Sequence, residues 1–266
     1  MALADWRGGG GQLGRCRVVV VTALLALEGV SYQFPGSPTP ALRAASLQIG
    51  AGQRMVVLGR NGAGKSTLLL LAGGLARPQQ GRIWLNGAPV DYSRPGLRRL
   101  RQHVGLVMQS PDEQLFSASV WQDISFGPLN LGLSAEAAQQ AVLEAAAMCD
   151  VTDLLDRPTH ALSGGQKARV ALAGVLAMRP RCLLVDEATS GLDLWARQQV
   201  VQVFDRLVAQ GGTVVLATHD LALARRWADL VVVLHEGQIV VVAPPAQVWA
   251  DPAVRALIAP PEAWEG

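Results

Sequence analysis

The stretch "RMVVLGRNGAGKSTLLLLAGGL", Arg54 to Leu75, decides the fold class. Residues 54–59 read as a buried strand. Gly59, Gly62 and Gly64 fall within six residues, and an apolar helix opens on Lys65. "GRNGAGKST", Gly59 to Thr67, fits the pattern G-x-x-x-x-G-K-[ST] of a phosphate-binding loop. The glycines let the backbone N–H groups of Gly59, Arg60, Asn61, Gly62, Ala63 and Gly64 converge on phosphate oxygens, and the helix start adds partial positive charge. Lys65 reaches the β- and γ-phosphates as a compact charge, which a planar guanidinium replaces poorly. The Ser66 hydroxyl suits Mg²⁺, and Thr67 completes the motif. A strand before and a helix after are the context this pattern requires.

Working outward, residues 24–34 and 42–49 read as short strands separated by "PGSPTP". "GRIWLNG" (81–87) is a strand ending in an Asn-Gly turn. Further strands are predicted over 103–109, 181–187 and 213–219, with a hairpin over 230–242 turning at Glu236-Gly237. Residues 134–150 are strongly helical, with Ser134 as N-cap, inside a helical insert over about 112–160. Apolar strands alternating with helices predict an α/β fold with a mostly parallel sheet. Residues 1–20 read as a Gly/Arg-rich extension and residues 246–266 as a loose C-terminal tail.

The chain has 266 residues, half of them hydrophobic, enough for one sizeable core with a subdomain. A net charge of +2 argues against a nucleic-acid footprint. Only two lysines, Lys65 and Lys167, stand against 21 arginines, so a retained lysine carries information. Cys16, Cys149 and Cys182 are odd in number and widely spaced, which fits a reducing compartment without a disulfide framework or zinc site. The apolar run Val18–Leu27 is about half the ~20 residues a membrane span needs.

"LSGGQKARVALAGVLA" (162–177) is a second glycine cluster opening a helix. Ser163 is its natural N-cap, and with Gly164, Gly165 and Gln166 it offers a second anion site. Two such sites do not readily grip one phosphate from the same side; they make sense if two copies meet head-to-tail. "CLLVDE" (182–187) places Asp186 and Glu187 at the end of a buried strand, where ligands bind in parallel sheets. Asp186 is expected to hold Mg²⁺ through water, and Glu187 to polarise the attacking water as a general base. His219 ends another strand and is expected at the γ-phosphate. Gln109 ends a third and would touch Mg²⁺ or water.

These pieces resemble the ATP-binding cassette (ABC) ATPases over about residues 23–245: "GRNGAGKST", Gln109, "LSGGQ", "LLVDE", "SGLD" (190–193) and His219 stand in the family's order. The resemblance implies a P-loop NTPase fold with a mostly parallel central sheet, an N-terminal antiparallel β subdomain and a helical signature subdomain over about 110–165. It implies two cassettes sandwiching two ATP with Mg²⁺, as a homodimer or with a close homologue. Ser163 to Gln166 would then act on the partner's nucleotide, and Asp193 would lie in the loop crossing the interface. An aromatic ahead of the first turn would stack on adenine: Phe34, or Tyr32 two residues earlier. Ala188 and Leu194 depart from the family by replacing prolines; neither removes a polar group, so hydrolysis is expected to survive.

"DYSRPGLRRLR" (91–101), "PDEQLFSASVWQDISFGPLNLGL" (111–133) and "PTHALSGGQKARVALAGVLAM" (158–178) resemble one branch, the energy-coupling-factor transporters, and most of all cobalt-type ATPase subunits. That implies a peripheral subunit on the cytoplasmic face of the membrane, coupled to a membrane scaffold (T) subunit and a substrate-binding (S) subunit, carrying cobalt or nickel, or alternatively vitamins. Leu115, Phe116, Trp121 and Phe126, among Asp112, Glu113 and Asp123, suit a docking groove with an apolar floor and polar rim. Phe116 and Trp121 equally suit the subdomain's own core. A soluble cassette acting on DNA or ribosomes fits poorly: there is one cassette, no long heptad array and little excess positive charge.

Overall fold

The computed structural model describes residues 23–264. Two sheets carry the chain. The smaller is antiparallel, in the order β2 (Leu42–Gly50), β1 (Ala23–Tyr32), β4 (Gln80–Leu85), β5 (Ala88–Pro89). The larger has the order β10 (Gln238–Ala243), β9 (Leu230–His235), β3 (Arg54–Leu58), β8 (Thr213–Ala217), β7 (Cys182–Asp186), β6 (Val104–Val107). It is parallel except for the β9–β10 hairpin.

Continuous apolar strands arise because this sheet has a core on each face, and alternate side chains enter each. Val56 and Leu58 face one core and Met55 and Val57 the other; Leu183 and Val185 alternate likewise with Cys182 and Leu184. The first core is roofed by α4 (Val120–Asn130), α5 (Ala135–Met148), α6 (Gly164–Leu176), α7 (Leu194–Ala209) and α8 (Leu221–Trp227). The second lies under the small sheet with α1 (Lys65–Ala72) and α2 (Arg94–His103). A short helix, α3 (Pro111–Gln114), follows β6.

The predicted strands and the Ser134-capped helix are present, the Ser134 side chain accepting from Ala137 N–H. Asn86-Gly87 and Glu236-Gly237 both take left-handed φ at the two turn positions, the geometry of tight hairpins. The loose tail is a correction. α9 (Pro245–Ala250) and α10 (Pro252–Ile258) fold back on the first core and bury Val248, Val254 and Ile258. Pro245 and Pro252 occupy first-turn positions, where a missing N–H costs nothing. The extension over residues 1–20 lies outside the described residues. Among those described, no helix is long and apolar enough to cross a membrane. Cys149 and Cys182 are free and buried, and burial pushes the Cys182 thiol up to about 12.

Candidate functional site

β3 delivers Gly59 to a loop that only glycine can close. At Gly64 φ is +106°, and a Cβ there would lie 2.5 Å from the Ala41 carbonyl oxygen. The β9–β10 turn braces the loop from behind, Gly237 N–H donating to Ala63 C=O at 3.0 Å. Lys65, at the first position of α1, is 6 % exposed. Its ammonium donates to Gly59 C=O at 3.1 Å and lies 3.1 Å from His219 Nε2 and 3.5 Å from Glu187 Oε1. Burial lowers its pKa, opposed by the nearby Glu187 and Asp186.

Glu187 also meets His219 Nε2 at 2.8 Å. Its φ of +48° is unusual for a side chain with a Cβ. Its N–H donates to Ala217 C=O at the end of β8, while its own carbonyl accepts from Ser190. Backbone strain of this kind recurs at functional sites. Next to it, Asp186 has one carboxylate oxygen, Oδ1, buried without a hydrogen-bond partner. Burial raises the Asp186 pKa, the Ser66 hydrogen bond lowers it and Glu187 raises it further. An orphaned carboxylate oxygen beside a serine hydroxyl fits Mg²⁺, which takes one or two protein oxygens and completes its shell with water and phosphate. The described residues contain no cluster of three acidic, histidine or cysteine side chains for a self-sufficient metal cage.

The turn from β8 into α8 aims His219. Asp220 caps α8, its N–H donates to Thr218 Oγ1, and its carboxylate pairs with Arg197 at 3.0 Å. Gln109, exposed just beyond β6, stands at the same sheet edge. Thus Lys65, Asp186, Glu187 and His219 are brought together, with Gln109 along the edge. Phe34 stands apart on the small-sheet side, 43 % exposed and edge-on to Tyr32 at 5.0 Å.

The second glycine cluster forms a capping box. Ser163 Oγ accepts from Gln166 N–H at 3.3 Å, and Gln166 Oε1 accepts from Ser163 N–H at 3.0 Å. Ser163 and Gly164 are exposed, as is Asp193, which caps α7 by accepting from Ala196 N–H at 2.7 Å. Gly165 lies so close to Ala196 that a Cβ added to it would stand 2.8 Å from the Ala196 Cβ, which brings the two loops together.

Sequence reasoning missed two ties on α6. Lys167 pairs with Asp112 of α3 at 2.6 Å, and Gln114 links Met108 N–H to Ala171 C=O. The segment after Gln109 is thereby fastened to the helix that carries the second glycine cluster. Buried Arg169 donates to the carbonyls of Cys149 and Asp150 and fixes α6 to the end of α5. The scarcity of lysine was the one signal for Lys167. In the segment itself, Trp121 packs half-buried against the core, whereas Phe116 and Phe126 are 64 % and 50 % exposed and meet edge-to-face at 4.7 Å.

Residues 42–190 match the sequence family described as ABC transporter. The chain belongs to the ABC transporter family. Among its relatives, the cobalt import ATP-binding protein CbiO of Rhodobacter capsulatus is 49% identical over 89% of this chain and 84% of that protein. The energy-coupling factor transporter ATP-binding protein EcfA2 of Methanospirillum hungatei is 42% identical over 86% of this chain and 57% of its own length. CbiO1 of Clostridium perfringens, described as part of the ABC transporter complex cbiONQ, superposes with TM-score 0.78 at 39% identity, covering 88% of this chain and 93% of that one. The ATP-binding cassette MJ0796, a dimer in a post-hydrolysis state bound to ADP and Pi, superposes with TM-score 0.76 at 26% identity, covering 83% and 98%. The fold is therefore that of an ABC ATPase cassette, and α9 and α10 continue it beyond residue 245.

Proposed function

We propose that this cassette is the ATP-hydrolysing subunit of an energy-coupling-factor importer for cobalt or nickel ions, driving uptake through a membrane scaffold at the cytoplasmic face. The observation that carries the ATPase reading is the convergence of Lys65, His219 and Glu187 at one point, with Asp186 and Ser66 beside it. The identity to a cobalt import ATP-binding protein supports the cargo; the relative named for the energy-coupling factor supports a vitamin-feeding role as the second reading.

In the proposed cycle, backbone N–H groups from Gly59 to Gly64 and the Lys65 ammonium bind the β- and γ-phosphates, and Phe34 stacks on adenine. Two cassettes, identical or closely homologous, close head-to-tail, each presenting Ser163 to Gln166 and Asp193 to the other's nucleotide. Glu187 accepts a hydrogen bond from the attacking water and takes its proton as the new P–O bond forms and the bond to ADP breaks. His219 donates to the γ-phosphate, and Gln109 orients water at the sheet edge. Ser66 and Asp186 would hold Mg²⁺, with Gln109 touching its shell; the ion neutralises phosphate charge when bound. Closure is passed through the segment after Gln109 to the scaffold, with exposed Phe116 and Phe126 as the docking contact.

The test is reconstitution of the chain with the membrane subunits that co-purify with it. ATP-driven accumulation of radioactive cobalt in proteoliposomes, abolished by Glu187→Gln, is expected. Vesicles that hydrolyse ATP and accumulate a vitamin but no metal ion would favour the second reading. Co-purification with ribosomes or DNA alone would end both.

A further inference from the structure

α2 carries a charge pattern that the ATPase cycle does not use. Arg94, Arg98, Arg99 and Arg101 lie within its ten residues, and all four are exposed. Its opposite side, Leu97 and Leu100, packs into the second core, so the arginines cannot turn inward. Among the described residues none of the four forms an ion pair. Asp91, just ahead of the helix, has its carboxylate engaged by the Ser93 hydroxyl and N–H. Guanidinium groups this close repel one another, and only the hydrogen bond of Arg98 to the Leu131 carbonyl and the attraction of Arg99 to Asp91 offset that cost inside the fold.

The side chains of Arg94, Pro95, Arg98, Arg99 and Gln102 line a shallow groove of about 350 Å³. Their spacing, i, i+1, i+4, i+5 and i+8, places them along one helix face. Three arginines, Arg98 among them already tied to the Leu131 carbonyl, and a glutamine line one concavity with no carboxylate among the lining residues, a chemistry that receives a phosphate group. The groove borders apolar surface. Arg98 donates to the Leu131 carbonyl at the end of α4, and Leu129 and Leu133 there are exposed. Basic groups beside exposed leucines describe a surface that settles on lipid headgroups and dips apolar side chains between them. No aromatic side chain borders the groove to stack on a base, which argues against single-stranded nucleic acid.

We propose that the α2 groove binds the phosphate of an anionic phospholipid headgroup, so that the cassette touches the bilayer directly, alongside its scaffold. It rests on the proposed function only in placing α4's exposed face toward the membrane. The vesicle measurement contains no scaffold, so its failure leaves the transport reading standing.

The test is sedimentation of the full chain with vesicles containing phosphatidylglycerol, against vesicles of phosphatidylcholine alone. Binding to the anionic vesicles, weakened by salt, is expected. Each arginine removed should weaken it about fivefold, so Arg94→Ala with Arg99→Ala should lose about 25-fold while hydrolysis in solution is unchanged. That pair leaves the Arg98 link to Leu131 intact, and Arg99→Glu alone is a second variant should the pair fold poorly. Arg15 and Arg17 lie outside the described residues; because they stay in every variant, binding that survives the α2 substitutions unchanged overturns the proposal. Equal binding to neutral vesicles does the same. So does saturable binding of inorganic phosphate, or of a single-stranded RNA, by a chain that ignores anionic vesicles.

Discussion

Alanine in place of Gly165 isolates the contact between the second glycine cluster and the start of α7. A Cβ built on Gly165 would lie 2.8 Å from the Cβ of Ala196. Carbon atoms pack at about 3.5–4.0 Å, so one side must retreat by ~0.7 Å or more. Gly165 is not in the left-handed region, so alanine adds no backbone strain. Within α6, alanine gains roughly 0.5–1 kcal/mol over glycine, while forced repacking costs about 1–3 kcal/mol. The gain offsets part of the cost, and stability should fall by no more than roughly 2.5 kcal/mol. Function should suffer far more. The retreating piece carries Ser163 and Gly164 on one side and Asp193 on the other, and a displacement near 1 Å can cost on the order of 100-fold in rate. The assay is steady-state ATP hydrolysis, with ATP-driven dimerisation followed by light scattering in a Glu187→Gln background. Gly165→Ala should lose between about ten- and 100-fold, and Ala196→Gly in the same chain should restore most of it by removing the opposing methyl. Full activity in the single variant, or no recovery in the double, would refute the idea that these loops share one rigid contact.

Three other substitutions probe the remaining parts. Asp186→Asn should raise the melting temperature of the nucleotide-free chain in a chelator while abolishing Mg²⁺-dependent hydrolysis. Burial holds the Asp186 carboxyl above its unfolded pKa, so its ionisation opposes folding at neutral pH. The wild-type chain should gain that stability back as pH falls through the raised value toward the unfolded one, and Asp186→Asn should lack this contribution. Phe116→Ala with Phe126→Ala should abolish scaffold capture in a pull-down yet leave basal hydrolysis intact, whereas Trp121→Ala should destabilise the fold by roughly 3 kcal/mol, read by denaturant melting. Lys167→Met should leave nucleotide affinity unchanged and reduce the stimulation of hydrolysis by scaffold; charge exchange of Lys167 with Asp112 should restore part of it.

The strand–loop–helix around Gly59 was legible because each constraint there is local: positive φ, a close backbone approach and a buried lysine all leave marks in the residue types. The strands of the large sheet were legible because burial on both faces makes them continuously apolar. The C-terminal helices were not, since Pro245 and Pro252 signal a break or a helix start equally well and only packing against β9 decides. Phe116 and Trp121 could not be told apart for a similar reason. Both are aromatic in one short segment, and what separates them is tertiary: Trp121 N–H donates to Leu155 C=O and its ring settles on the core, while Phe116 is held outward by Asp123, which accepts from its N–H. The Lys167–Asp112 pair spans 55 residues, a separation at which no sequence pattern reports contact.

The strand order explains how so few residues suffice for the site. β3, β8, β7 and β6 are neighbours in that order, all parallel, and their C-terminal ends deliver the phosphate loop, His219, Asp186 with Glu187, and Gln109 in turn. Strands stand about 4.8 Å apart, so the row from the loop to Gln109 spans ~14 Å. Ser163 cannot join that row: it stands at the start of α6, a helix packed on α3, α4, α5, β6 and α7. Lys65, His219 and Glu187 therefore meet at one end of the sheet, while the exposed Ser163 loop stands away from them in the same chain. Under the proposed head-to-tail pairing a second cassette would bring its own Ser163 loop to this row, so closure of the pair, and not any movement within one chain, is the step that nucleotide is expected to control.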